Sequence, residues 1–102
     1  MFIQMKRFTV TEGNGHLIVE KFSKKGGLLS AQPGFIDKKV LVKKVRRGEE
    51  EVILMITWNS EEDWKNWEKS PEHIAGHKAK LGQPKEKPEY VISVDAGLYY
   101  VQ

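Results

Sequence analysis

Two tryptophans and two histidines lie close together in the stretch WKNWEKSPEHIAGHKAK, residues 64–80, where most other side chains are those of a water-facing helix. His73 and His77 are four residues apart, so on a helix they share a face and could bind one metal ion. The spacing alone is a weak signal, because a mononuclear site needs a third ligand and the glutamate of an HExxH motif is absent. An isolated helical histidine is more often an ordinary surface residue.

The residues around His77 favour a flat, bulky ligand. Ala75 and Gly76 are small, so a planar molecule can approach the helix immediately before His77. Trp64 and Trp67 each need a large apolar partner, either the core of a sheet or a bound ring system. We favour the core for Trp64 and leave both partners open for Trp67. One imidazole, an apolar wall and cations for carboxylates together match the requirements of haem.

Composition limits the chemistry further. The chain has 102 residues, enough for a single domain over residues 1–102, and no cysteine, which excludes disulfides, thiolate metal sites and thiol nucleophiles. Its net charge of +3 comes from small basic clusters interleaved with acids, so we expect no nucleic-acid binding. The longest aliphatic run, residues 52–56, is far shorter than a membrane span, and a signal-peptide pattern is absent. We expect a cytoplasmic protein that does not enter the membrane.

The hydrophobic pattern predicts the element order β-α-β-β-α-β. The predicted strands are residues 2–10, 35–45, 51–58 and 90–101. The first predicted helix begins at His16 and ends at Gly26-Gly27, and the second follows a capping box of Ser60 and Asp63 and is broken at Ser70-Pro71. Two βαβ-like halves joined by a hairpin predict an α+β, ferredoxin-like split βαβ fold with an antiparallel sheet.

The third predicted strand is apolar on both faces. Its residues alternate from Val52 to Trp58, and Ile53 and Met55 face the side opposite to Leu54. A strand of this kind must be covered on both sides, and the helices of so small a domain cover one side. The second side therefore predicts a homodimer.

The pattern ITWNSEEDWKNWEKSPEHIAGHKAK resembles the IsdG/HmoA-type haem-degrading monooxygenases of the antibiotic biosynthesis monooxygenase (ABM) superfamily, as do RFTVTEG, QPGFID and the tyrosine-rich last strand. The resemblance covers nearly the whole chain, and its W-x-x-W-x-x-S…H-x-x-x-H-K block is specific. It implies a homodimer whose sheets associate into a dimeric α/β-barrel. It also implies one haem per subunit, bound between the helices and the sheet.

The resemblance assigns candidate site residues one by one. The family's axial haem ligand falls on His77, and the tryptophan that presses on the porphyrin and ruffles it falls on Trp67. The best-studied members have an asparagine beside the distal oxygen where this chain has Lys6. An ammonium group is costly inside an apolar pocket, so Lys6 is free to extend outward toward a propionate. Trp67, His77 and Lys6 are the candidate catalytic residues, with His77 as the ligand of the haem iron.

The implied reaction opens the ruffled porphyrin with O2 and releases iron, so that haem is substrate and cofactor together. We expect Phe8, Phe22 and Leu54 to help bind it and residues 82–88 to form a mobile rim. The sequence has no GxGxxG motif for a nicotinamide or flavin, so the electron donor must be external, either a reductase or a small molecule. Two alternatives stay open: a cofactor-free ABM-type monooxygenase acting on an aromatic polyketide, and a non-catalytic dimeric haem-binding or signalling protein.

Overall fold

The strands and helices follow one another in the predicted order β-α-β-β-α-β. The computed structural model describes residues 1–23, 29–71, 73–75 and 88–102. Its elements are β1 (Phe2–Val10), α1 (Gly15–Phe22), β2 (Phe35–Val42), β3 (Glu50–Trp58), α2 (Glu61–Glu68) and β4 (Val91–Tyr100). A further helical segment after α2 includes residue 71 and residues 73–75. Within the described residues, no helix combines the length and apolarity that a membrane crossing requires.

The four strands form one sheet in the order β2-β3-β1-β4, and every neighbouring pair is antiparallel. Strand β1 lies in the middle, and its residue Phe2 is opposite Trp58 of β3 and Tyr100 of β4. This order, with the two helical connections, is that of the ferredoxin-like split βαβ fold. The predicted fold class is confirmed.

The core lies between the two helices and one side of the sheet, which we call the helix face. On β1 the helix face carries the even-numbered residues from Phe2 to Val10. The buried apolar residues are Phe2, Phe8, Val10, Ile18, Val52, Leu54, Ile56, Trp58 and Val91. On β3 the alternation is as predicted. Four residues of the helix face are buried, namely Val52, Leu54, Ile56 and Trp58, while Ile53 and Met55 are half-buried on the opposite side, the second face.

Helix α1 begins with a cap supplied from β3. Its N-cap residue, Asn14, makes no side-chain capping bond. Instead the Glu50 carboxylate accepts hydrogen bonds from the backbone N–H groups of Gly13 and Gly15, each at 2.8 Å. A side chain at position 15 would not fit, because a Cβ there would lie 2.5 Å from Glu50 Oε1. The cap therefore holds the N-terminus of α1 against the sheet.

The other end of α1 differs from the sequence prediction. The helix ends at Phe22, and the Ser23 N–H donates to the Val19 carbonyl at 2.9 Å. The predicted stop at Gly26-Gly27 lies outside the described residues.

The two N–H groups that cap α1 lower the pKa of Glu50 below its ordinary value, the bond from Gly13 first and that from Gly15 second. A carboxylate with a lowered pKa in the folded state stabilises the fold above the ordinary glutamate pKa of about 4.3. That stabilisation is lost as the pH falls through the lowered folded-state value.

We expect Glu50→Gln to lower the melting temperature at neutral pH, because an amide offers one acceptor oxygen where the carboxylate offers two. The difference from the parent should shrink as the pH falls below about 4. Thermal unfolding followed by circular dichroism at several pH values measures it. Glu49→Gln, the same change at an exposed neighbour, is the control, and an equal pH-dependent loss in this variant would contradict the account.

Candidate functional site

Helix α2 carries both helical tryptophans, and its boundaries are set by two serines. The Asp63 N–H donates to Ser60 Oγ at 3.2 Å, and the Ser60 hydroxyl donates to Asp63 Oδ2 at 2.9 Å. At the break, the Ser70 hydroxyl donates to the Trp67 carbonyl at 2.7 Å and accepts from the His73 N–H at 3.2 Å. The predicted capping box and the predicted restart of the helix at Ser70 are therefore present.

Three contacts hold the start of α2 against the sheet. The Trp64 ring lies on Phe2 of β1, with 5.3 Å between ring centroids, and Phe2 also contacts the Tyr100 ring at 5.4 Å. The Tyr100 hydroxyl donates to Glu61, which raises the pKa of Tyr100 and lowers that of Glu61. The loop before β2 also packs here, so closely that a Cβ on Gly34 would lie 2.1 Å from the side chain of Asp63.

A cavity of about 410 Å³ lies between α2 and strands β1 and β4. Its lining residues are Gln4, Met5, Lys6, Trp64, Ala96, Gly97 and Leu98. The volume falls within the usual range of ligand pockets, about 300–1,000 Å³. The cavity is open over β4 because the residue opposite Lys6 is Ala96, whose side chain is short. It can therefore accept the edge of a largely apolar molecule.

Among the described residues that line the cavity, three have side chains with polar groups, and these lie in different environments. Lys6 is exposed and has no ion-pair partner within the described part of the chain. Gln4, two residues earlier on the same face of β1, is half-buried, and its Oε1 atom is buried without a hydrogen-bond partner among the described residues. The same holds for Nε1 of Trp64. A carboxylate would pair with Lys6. Each of the two buried atoms lacks the hydrogen bond that a buried polar group normally makes.

Trp67 is half-buried and packs against the core, whereas Trp64 both packs against the core and lines the cavity. The core contact of Trp64 is the one that the sequence favours, and for Trp67 the sequence allows either the core or a bound ring. Trp67 also contacts the His73 imidazole, with 4.9 Å between ring centroids and an angle of 59° between the ring planes. His73 Nδ1 lies 3.2 Å from the Glu68 carbonyl, which can only accept, so this nitrogen carries the proton.

The remaining predicted site residues fall into two groups. His77 lies outside the described residues. Phe8 and Leu54 belong to the buried core, and Phe22 of α1 packs on Phe8 with 5.3 Å between ring centroids. These three side chains form the core beside α1, and the part of the cavity that the structure describes is lined by other residues. Their role in binding a ligand stays a prediction. Sequence reasoning did not identify Gln4.

The fold and the cavity define a ferredoxin-like α+β domain that can take a ligand between its helices and its sheet. The sequence model of the antibiotic biosynthesis monooxygenase (ABM) family matches residues 1–79, and the chain belongs to this family. It is 51% identical over 102 residues to the heme-degrading monooxygenase HmoA of Bacillus subtilis (strain 168), covering all of this chain and 92% of that protein. The family and the enzyme class that the sequence predicts are confirmed.

Two solved structures show the same fold. One, from Bacillus cereus, is assigned to the antibiotic biosynthesis monooxygenases; it is 50% identical, with a TM-score of 0.83 over 99% of this chain and 90% of that chain. The other is the heme-degrader MhuD of Mycobacterium tuberculosis with two hemes bound in its active site. Its TM-score is 0.66 at 19% identity, over 99% of this chain and 95% of that chain. At this identity, the likeness to MhuD supports the fold alone.

The close approach of Gly34 to Asp63 predicts a large stability difference between two glycines. Gly34 and Gly48 both have positive φ, 82° and 93°, but space is open around a Cβ at Gly48. We expect Gly48→Ala to lower the free energy of unfolding by roughly 1 kcal/mol, from backbone strain alone. Gly34→Ala should cost on the order of 3 kcal/mol, since Asp63 must also move. Urea unfolding measures both, and equal losses would contradict this account of how α2 is held.

Proposed function

We propose that the chain is a haem-degrading monooxygenase, a single ABM domain over residues 1–102 that opens the porphyrin with O2 and releases iron. The observation that carries the proposal is the 51% identity, over the full chain, to a protein that degrades heme. The cavity between α2, β1 and β4 supports it, because the residues there suit a flat apolar ligand with carboxylates at one edge.

The cavity has apolar side chains for the ring of such a ligand and a cation for its carboxylates. Trp64, Ala96 and Leu98 offer apolar surface for the ring. Lys6 offers an ammonium group in water, where pairing with a propionate needs no burial of charge. We therefore assign Lys6 to binding the carboxylates. Lys6 is charged, so it does not suit the role of the neutral asparagine that the best-studied family members have at this position.

Haem brings to this site the iron that activates O2, and its own ring is the part oxidised. The chain supplies orientation and an apolar wall. We propose that His77 would hold the haem iron through a neutral imidazole nitrogen, as the resemblance to the family implies. We propose Trp67 as the side chain that presses on the ring. Support for Trp67 comes from its contacts with the core and with His73, since a side chain held by its neighbours can deform a ligand rather than yield to it.

The same proposal includes a homodimer formed through the second face of the sheet. Ile53 and Met55 are half-buried there, and neither described helix packs on that side. Arg7 lies on this face too, 2.9 Å from Asp95 and 3.8 Å from Glu51, so its charge is already paired for contact with another subunit. We place the protein in the cytoplasm, where a reductase or a small-molecule reductant would supply the electrons.

The proposed function is tested by titrating the protein with hemin and then adding ascorbate in the presence of catalase. The proposal predicts a Soret band that saturates with hemin and then decays as iron becomes available to a chelator. A stable Soret band would leave a haem-binding protein without turnover. Absence of a Soret band would overturn the proposal and favour a cofactor-free monooxygenase acting on an aromatic substrate.

We expect His77→Ala to weaken hemin binding by at least about tenfold, roughly 1.4 kcal/mol, because the axial bond to iron is lost. His16→Ala is the matched control, since this imidazole is exposed on α1 and is not among the described residues that line the cavity. It should retain the affinity of the parent for hemin. Absorbance titrations measure both variants, and equal affinity of His77→Ala and the parent would show that His77 is not the ligand.

Lys6→Met tests the carboxylate contact, because methionine keeps an apolar stem and removes the charge. We expect about a fivefold loss of hemin affinity, the size of a partly exposed ion pair, and a smaller loss at high salt. Hemin dimethyl ester has no free carboxylates, so it should bind the parent and Lys6→Met equally. If the variant loses affinity for the ester as well, Lys6 acts by packing and not by charge.

A further inference from the structure

Two buried polar atoms of opposite hydrogen-bonding type belong to residues that line the same cavity. Gln4 Oε1 can only accept and Trp64 Nε1–H can only donate. Both are buried and without a partner among the described residues. Gln4 approaches the cavity from β1 and Trp64 from α2. Buried polar groups are normally hydrogen-bonded, so each of these atoms calls for a partner at this place.

Two other buried atoms, Asp37 Oδ1 and Trp58 Nε1, also have no partner within the described part of the chain. They lie on β2 and β3, apart from the lining of the cavity, and Asp37 uses its other oxygen toward Lys39 at 3.7 Å. Gln4 and Trp64 differ because both residues line one cavity that is large enough for a ligand.

Gln4 lies close to Lys6, the residue that replaces the asparagine of the best-studied family members. The two residues are on the same face of β1 and about 7 Å apart along the strand. Lys6 is exposed and Gln4 is half-buried. The strand thus presents a cation at the outside of the cavity and a neutral amide farther in. An amide can donate a hydrogen bond inside an apolar pocket without burying a charge.

We propose that in the haem-bound protein the Trp64 indole N–H donates to Gln4 Oε1, and that this bond fixes the Gln4 amide with its Nε2–H group toward the ligand. Gln4 is then the neutral hydrogen-bond donor of the cavity, and Trp64 is the positioning residue that orients it. The proposal rests on the proposed function, since it names haem as the occupant. It assigns to Gln4 the neutral amide role that Lys6 cannot fill.

The first test follows the Trp64 indole by NMR in 15N-labelled protein with gallium protoporphyrin IX, a diamagnetic probe that is not turned over. Trp64→Phe assigns the signal among the three tryptophans. Binding of the probe should slow hydrogen exchange of the Trp64 indole by about tenfold in the parent, as an added hydrogen bond does. In Gln4→Met, which has no amide acceptor, exchange should stay fast. The porphyrin itself shields the indole equally in both proteins.

The second test separates the two roles of the amide. Gln4→Glu keeps an acceptor for the indole but loses the N–H group, so it should retain the slow indole exchange. With carbon monoxide on ferrous haem, loss of a nearby donor raises the C–O stretching frequency. We expect this rise in both Gln4→Met and Gln4→Glu, whereas a purely structural role of Gln4 would leave the frequency of Gln4→Glu unchanged.

The outcomes separate this inference from the proposed function. If gallium protoporphyrin binds the parent and Gln4→Met and the indole exchanges equally in both, the pair does not form and this inference is overturned alone. If the parent does not bind the probe at all, the proposed function fails and the inference fails with it. Slow exchange that depends on an acceptor at position 4, with a C–O frequency that depends on the amide N–H, supports the inference.

Discussion

The packing of Trp64 on Phe2 is the contact on which the rest of the site depends. Phe2 is almost fully buried in an interior strand, where its neighbours hold it in place, and the indole that packs on it sets the position of α2. The bond from Tyr100 to Glu61 fixes the same end of the helix from β4. With α2 held there, and with the short side chain of Ala96 opposite Lys6, space remains between the helix and the sheet. A cavity bordered by rigid elements keeps its shape when a ligand enters.

The elements were predictable where the signals are local. The capping box of Ser60 with Asp63 and the restart at Ser70 join residues three apart, so short motifs predict them. The sheet order follows from the element order, because a ferredoxin-like arrangement lets each β-α-β half bury its helix on the same face. The cap of α1 was not predictable, since Glu50 is 37 and 35 residues from the glycines that it accepts from. No local pattern marks such a pairing.

The site was predictable only in part, for a physical reason that Trp64 illustrates. A tryptophan on a helix asks for apolar surface, and the sequence does not say whether core or ligand supplies it; Trp64 takes both. Gln4 carries still less signal, because a glutamine in a strand is ordinary. What distinguishes it is a buried oxygen atom with no hydrogen-bond partner among the described residues, a property of the tertiary structure. Lys6 was singled out through a family comparison, and the structure adds that its ammonium is exposed at the cavity.

The central claim, that this chain oxidises a bound porphyrin with O2, is tested most directly by mass spectrometry of the tetrapyrrole recovered after one turnover of bound hemin under 18O2. Ascorbate is the electron donor, and catalase removes free peroxide. The account predicts a ring-opened product that contains 18O. Recovery of intact haem, or of a product whose added oxygen comes only from water, would contradict it.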